Sequence, residues 1–335
     1  MLEAMIMNFT SAPILYFVLG AIAVLVKSDL RIPNDFGRAM VIFLMASIGI
    51  RAGAEIAQMP GGLLAVTSYA LTALVFGVAI ASLSYLLLVK ILRLDFPNAC
   101  ALAAAFGAVS SATLMVSISM LEGLGITYEK FVPALYPFMD SPAIIAALFL
   151  AKKSMSKNNS PLAAGSIAGN SEKSWGELIT ESFTNSGVFV LIGSLIIGLI
   201  AGPAKLVAEM ALFETLFRGV LCLFLLDMGI LAASRLKELK FVSPLVIPIA
   251  IVISVISGVA SVFAATFLGL SPGGAVIFAS LAAGASYVTV PAAMRASMPE
   301  ANPSLYIGTA IGIVFPWNVL IGLPMYLQLA KALAR

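Results

Sequence analysis

The chain has 335 residues, of which 61% are hydrophobic and 10% charged, with a formal net charge of +3. Soluble domains carry roughly 25% charged and 45–50% apolar residues, so a mean hydropathy of +1.07 excludes a soluble fold and places the chain in a lipid bilayer. So small a basic excess on so apolar a chain excludes nucleic-acid binding. The absence of histidine removes His-based acid–base catalysis, Ser–His triads and His metal sites.

The apolar runs are about 20 residues long and lack period-two alternation, which predicts helices rather than barrel strands. The first five predicted spans are Pro13–Val26, Phe36–Ala52, Gly61–Val89, Pro97–Leu121 and Phe131–Ala151. The second five are Ser186–Gly202, Leu212–Ser234, Phe241–Leu268, Gly273–Met294 and Pro303–Leu333. Glu3 stands where a signal peptide would be basic, and the first apolar run has no convincing cleavage site. Between the two sets lies a polar segment rich in Ser, Asn, Gly and Lys, which ends in the amphipathic stretch WGELITESF. It reads as a flexible linker followed by a helix on the membrane surface. Cys100 and Cys222 fall inside apolar runs of different spans and read as packing residues.

The two halves resemble each other in register. Phe36–Ile50 and Phe217–Leu231 share Arg38/Arg218, Gly49/Gly229 and Ile50/Ile230 at an offset of 180. Ala103–Thr113 and Ser280–Val290 share Gly107/Gly284 and Ala108/Ala285 at an offset of 177. Apolar helices also align by chance, but both matches keep the same place in their sets. Five spans per repeat would insert the second copy upside down, as in secondary transporters. The expected fold is therefore an all-α membrane protein, with ten transmembrane helices as two inverted five-helix repeats. Its expected parts are a first repeat at 1–151, a cytoplasmic linker at 152–184 and a second repeat at 185–335. Thirteen Lys and Arg fall on one side of these spans and six on the other, which predicts a cytoplasmic linker and both termini outside.

Small and hydroxylated residues interrupt spans four and nine: Gly107, Ala108, Val109, Ser110, Ser111 and Thr113 in one, Gly284, Ala285, Ser286, Thr289 and Pro291 in the other. Glycine and proline loosen a helix, so both stretches are expected to be breaks followed by a half-helix that starts inside the membrane. Ser110, Ser111 and Thr289 are suited to capping the new ends. Such an end offers free N–H groups and the positive pole of the helix dipole to an anion. The alternative reading is small-residue helix packing.

Two acids lie deep in apolar spans, Asp140 and Asp227. A charged residue at a helix centre costs roughly 2.5–3.5 kcal/mol on insertion scales, so each is expected to face a cavity, a cation or a proton path. The alternative is a protonated acid bonded to a neighbouring helix. Pro137 and Pro142 bracket Asp140, and carbonyls freed by them would complete an oxygen-rich Na⁺ site. Asp140, Ser286, Asp227 and Asn318 are the candidate Na⁺ ligands, whereas Trp317 reads as packing. Nucleotide-binding motifs and a nucleophile elbow are missing from the sequence, so the driving energy is expected from an ion gradient and no enzymatic activity is expected.

The strings FGAVSSAT, ALYPFMDSPA, LFRGVL…MGI…SR and MRASMPEANPSLYIGTAIG resemble the sodium-dependent bicarbonate transporter family of cyanobacteria and its bacterial relatives. The resemblance runs along nearly the whole chain. It implies a gate part and a core part in each protomer of a homotrimer in the bacterial inner membrane. Bicarbonate would sit between crossing half-helices beside Na⁺, the coupling ion, with Gly107 to Thr113 and Gly284 to Thr289 lining the site and Asp140 nearby. A cytoplasmic PII-like regulator is the partner known for the family, although the linker here is short. The chain departs from the cyanobacterial pattern at Tyr287, where those members carry an acid, and at Asp227, where they are apolar. Na⁺-coupled uptake of bicarbonate is the function implied. The same fold would also suit a small organic monocarboxylate, and an anion channel is the reading from another class.

Overall fold

The computed structural model describes residues 10–157, 175–236 and 244–334, and all regular structure among them is helical. The first half holds α1 (Ala12–Leu25), α2 (Asn34–Ile56), α3 (Leu63–Lys90), α4 (Phe96–Gly107), α5 (Ser111–Gly123), a 3₁₀ turn (Val132–Leu135) and α6 (Tyr136–Lys157). Then come α7 (Trp175–Thr184), α8 (Ser186–Lys205), α9 (Val207–Leu236), α10 (Val246–Phe267), α11 (Pro272–Ala283), α12 (Thr289–Ser297) and α13 (Pro303–Leu333). Eight segments are long and apolar enough to cross a membrane, and α1 and α11 are shorter apolar helices. The chain is a multi-pass membrane protein.

Polar residues at the helix ends fix where the helices start. Asp95, Asn185, Ser271 and Asn302 each accept a hydrogen bond from a first-turn N–H of α4, α8, α11 and α13 respectively. Proline follows at the first or second position of α4, α11 and α13, where its missing N–H has no helical partner to lose. Gly125 (φ +65°) and Gly269 (φ +81°) close α5 and α10 in the left-handed conformation that glycine adopts without strain. Two π-turns, Ala310–Val314 and Asn318–Gly322, interrupt α13. Span four was expected as one broken helix and is found as α4 and α5, with Ala108 to Ser110 between them. Span nine is likewise split into α11 and α12. The linker was expected to begin at Lys152, but α6 continues as helix to Lys157. Nothing breaks the helix between Lys152 and Lys157, and lysine and methionine are good helix formers. The expected flexible stretch at 158–174 lies outside the described residues; the amphipathic stretch is α7, packed against α6 and α8.

Helix α1 packs along α9 and α2 along α8, while α4 and α6 pack on α3, and α11 and α13 on α10. The first two pairs touch backbone to backbone. A Cβ on Gly20 would collide with the Leu226 carbonyl, and one on Gly229 with the Phe17 carbonyl. Between α2 and α8 the same is true of Gly49 against Leu191, Gly53 against Leu195 and Gly198 against Ile50. In a bilayer no hydrophobic effect drives helices together, so close van der Waals approach across small residues does that work. Every residue from Ala99 to Leu121 of α4 and α5 is buried, whereas most of α8 is not. The interrupted helix is therefore the centre of the molecule, walled by the others.

At one end of the bundle the loop from Leu124 to Phe131 crosses over these helices. Tyr128 donates to Glu122 Oε1 at 3.3 Å; burial, and then the Glu122 charge, push its hydroxyl above its ordinary value, so it remains a neutral donor. Glu129 accepts from Ser271 N–H at 2.8 Å and from its hydroxyl at 2.9 Å, which ties the loop to the start of α11.

Gly53→Val places a side chain where the Leu195 carbonyl lies, and overpacking of this kind costs about 2 kcal/mol or more. The variant is expected to melt at a clearly lower temperature in detergent. Gly193→Ala on α8, where a Cβ would meet nothing within 4 Å, should melt at or slightly above the native temperature.

Candidate functional site

The two interrupted helices cross where each is broken. Ser286 N–H donates to the Ala105 carbonyl at 2.8 Å, so the second break hydrogen-bonds the last turn of α4. A Cβ on Gly284 would sit 2.8 Å from Ser110 Cβ, so only glycine lets the two crossing segments come this near. Beyond the crossing, α5 packs on α11 and α12 packs on α4.

Breaking a helix leaves N–H and C=O groups without partners, which inside a bilayer is expensive. Side chains at the first break itself and on α6, α10 and α13 satisfy them. Ser110 is the N-cap of α5: its Oγ accepts from Thr113 N–H at 3.3 Å and from the Thr113 hydroxyl at 3.0 Å. Asp140 Oδ1 on α6 accepts from Val109 N–H at 2.8 Å. Tyr136 donates its hydroxyl to the Val109 carbonyl at 3.4 Å. Asn318 Nδ2 holds the free end of α11 through the Ala283 carbonyl at 2.8 Å, and also meets Ser254 Oγ at 2.9 Å and the Val314 carbonyl at 3.0 Å. Ser254 donates to the same Ala283 carbonyl at 2.8 Å.

Asp140 is wholly buried. Its Oδ1 also accepts from Thr289 Oγ1 at 3.3 Å, and Thr289 Oγ1 lies 2.7 Å from Ser286 Oγ. One carboxylate thus joins the first break to the second. Its other oxygen, Oδ2, has no hydrogen-bond partner among the described residues, and neither does the buried hydroxyl of neighbouring Ser141. Pro142, inside α6, supplies no N–H to the Phe138 carbonyl one turn back. The side-chain atoms beside Asp140 that could ligate a cation, those of Ser141, Ser286 and Thr289, are oxygens, which suits a hard cation such as Na⁺. Groups of three His, Cys, Asp or Glu are not found among the described residues, so nitrogen- or sulfur-ligated metals have no ligand set here.

The structure brings Gly107, Ala108, Val109, Ser110, Ser111, Thr113, Gly284, Ala285, Ser286, Thr289 and Asp140 to this crossing, all of them buried. Thr289 was expected as a cap; it is instead the first residue of α12, after Val288 at the N-cap position, and its hydroxyl is engaged by Asp140. Asn318 sits one layer behind, where its amide clamps the end of α11; its Oδ1 is unpartnered among the described residues. Asp227 lies apart, on the half-buried face of α9, where Oδ2 approaches Gly37 on α2. Tyr287 links the two regions, donating to the sulfur of Met228 at 2.9 Å. Tyr136 and Ser254 escape a reading of the breaks alone. The one signal for Tyr136 is its place four residues before Asp140, on the same helix face.

Two half-helix ends meeting beside a buried acid in a membrane bundle are the features of a secondary transporter. A family profile, the Na⁺-dependent bicarbonate transporter superfamily, matches residues 12–331. The chain belongs to that superfamily, a family of transporters and not of enzymes. Among curated proteins none matches the chain.

Asn318→Leu removes the donor that Ala283, Ser254 and Val314 share, and an orphaned buried acceptor costs about 1–3 kcal/mol. The variant is expected to express, to melt lower, and to lose transport more than Trp317→Phe does; radiotracer uptake beside a thermal melt checks this.

Proposed function

We propose that the chain takes up bicarbonate with Na⁺, the anion being held at the start of α5 and the cation at Asp140. The observation that carries this reading is the unpartnered oxygen of the fully buried Asp140 carboxylate, within one residue's reach of a half-helix N-terminus. The first turn of α5 offers the N–H groups of Ser111 and Ala112, and the hydroxyl of Ser111 is shared with Tyr287. The positive end of the helix dipole favours an anion there without any arginine.

The same arrangement supplies a reason for coupling. Val109 N–H already faces Asp140, so an anion bound at Ser110 and Ser111 lies near a fixed negative charge. Two like charges ~5 Å apart repel by about 3 kcal/mol at an effective dielectric of ~20. A Na⁺ held by Asp140, with the Thr289, Ser286 and Ser141 hydroxyls as further oxygen donors, cancels that repulsion. Each solute then raises the affinity for the other by the same factor, and movement of one down its gradient draws the other along.

The architecture we propose is ten spans in two inverted repeats, divided as 1–151 and 185–335 about the linker. In its support, α1 meets α9 as α2 meets α8, and glycines at these contacts recur at nearly constant offset: Gly20 with Gly198, Gly49 with Gly229. The linker is assigned to the cytoplasm and both termini to the outside from the Lys and Arg count, and a tag after Arg335 should label in intact cells. A homotrimer and a PII-like cytoplasmic partner are proposed from the family resemblance alone, and the mass of the purified complex checks the first. Tyr287, which fills the space between the crossing and α9 with a ring, favours a small inorganic anion over a larger organic carboxylate. Proteoliposomes loaded with labelled bicarbonate or labelled acetate, with and without a Na⁺ gradient, separate these substrates and a Na⁺-independent channel.

Ser110→Ala combined with Ser111→Ala should weaken bicarbonate affinity about tenfold, the loss of roughly 1.4 kcal/mol, with expression intact; unchanged uptake removes both hydroxyls from the site. Asp140→Asn keeps the shape and one acceptor oxygen but removes the charge. It should raise the Na⁺ concentration for half-maximal uptake by about tenfold or more, far more than it changes bicarbonate affinity at saturating Na⁺. A normal Na⁺ dependence in this variant moves the cation away from Asp140.

A further inference from the structure

The end of the bundle where α5 finishes carries a buried cation. Arg51 is 5% exposed. Its Nη1 donates to Glu122 Oε1 on α5 at 3.1 Å and its Nη2 to the Phe213 carbonyl on α9 at 3.4 Å, while the guanidinium lies 5.0 Å from the centre of the Phe217 ring. One side chain on α2 thereby holds α5 to α9. Two contacts beside it join the same partners through the loop after α5: Phe131 N–H donates to Glu55 on α2 at 2.7 Å, and Lys130 lies 3.9 Å from Glu214 on α9. On the other flank of the α5–α9 seam is an open cavity of about 380 Å³. Ser119, Met120 and Gly123 of α5 form one wall and Arg218 and Cys222 of α9 the other, with the start of α1 alongside. Arg218 donates to the Ser119 carbonyl of α5 at 3.4 Å but meets no carboxylate at ion-pair distance among the described residues.

The seam follows α5, the half-helix whose far end holds the anion in the reading above, so parting it would open a route to that end. An ion pair is well suited to such a joint. Closed, each charge compensates the other; open, water hydrates both, so the net difference between the states is small. A seam of interlocked apolar side chains would lack that second stable state. We infer that the α5–α9 seam is the gate at this end of the transporter, that Arg51 and Glu122 are its latch, and that the cavity is the vestibule into which it opens. This rests on the transport reading, and Arg218, which has no carboxylate partner among the described residues, makes the vestibule congenial to an anion.

The chain carries its own reporter. Cys222 lines the vestibule and is half-buried, whereas Cys100 is fully buried. In proteoliposomes, labelling of Cys222 by a membrane-impermeant maleimide is measured for the native protein, Arg51→Gln and Glu122→Gln, with Cys222→Ser as the blank. Both latch variants are expected to label about tenfold faster, since each leaves one charge of the pair uncompensated in the closed seam. The exchange Arg51→Glu with Glu122→Arg should return the rate toward native. Arg51 is the more deeply buried partner and its loss endangers the fold, so Glu122→Gln, at a side chain 28% exposed, decides the matter once size exclusion shows it folded. A native labelling rate in folded Glu122→Gln overturns the latch. The readout is independent of what is carried: faster labelling without bicarbonate uptake in the native protein keeps the latch and removes the substrate reading, and native labelling beside intact uptake does the reverse.

Discussion

Inside a bilayer every backbone N–H and C=O needs a partner from the protein, because lipid offers none, and the centre of this structure is organised by that demand. Two helices stop and restart within the apolar layer, leaving peptide groups near Ala108–Ser110 and Ala283–Val288 outside any helix ladder. Each helix supplies part of what the other lacks, as where Ser286 N–H meets the Ala105 carbonyl. Ser110 caps its own half-helix, and further partners are Asp140, Tyr136, Ser254 and Asn318, which lie on other helices. The site and the scaffold that tolerates it are thus one hydrogen-bonded unit. The first N–H groups of α5 and one oxygen of Asp140 are left without a partner in it among the described residues.

The rest of the molecule divides according to how its helices are held. Helices α1, α2, α8 and α9 meet through glycines whose replacement would drive a side chain into a facing carbonyl. Such contacts are tight, dry and short-ranged, which makes them poor at sliding but good at keeping four helices as one block. The joint between that block and the interrupted helices includes polar and ionic contacts at one end, through Arg51, Glu122 and Glu55, and Tyr287 against Met228 nearer the middle. A rigid block and a softer polar seam are the mechanical requirements of a carrier that must expose one site to two sides.

Asp140 ties the two breaks to each other. Its Oδ1 fixes both breaks, to Val109 on one side and Thr289 on the other, so an acceptor oxygen at this position is a structural requirement. Its Oδ2 is left unmatched among the described residues, and an unpaired charge is costly in a membrane interior. Asp227 faces no such enclosure: it is half-buried on α9 and lies toward Gly37 rather than the crossing.

The membrane setting, the helical class, the position of both breaks and most helix starts were legible in the sequence, because they follow from local free energies. Apolar length decides insertion, glycine and proline decide where a helix fails, and Ser110, Asp95, Ser271 and Asn302 cap the turn that begins beside them. The depth of Asp140 and its proline neighbours likewise marked it before any fold was known. The pairing of distant groups was beyond sequence reach. That Thr289 would give its hydroxyl to an acid 149 residues away rather than cap its own helix, that Asn318 would clamp α11 instead of joining Asp140, and that Arg51 would be buried against Glu122 all depend on which helix faces pack together. Packing chooses those faces by the summed fit of many small residues, so composition and spacing settle what each segment becomes, and only the tertiary structure settles which polar groups meet.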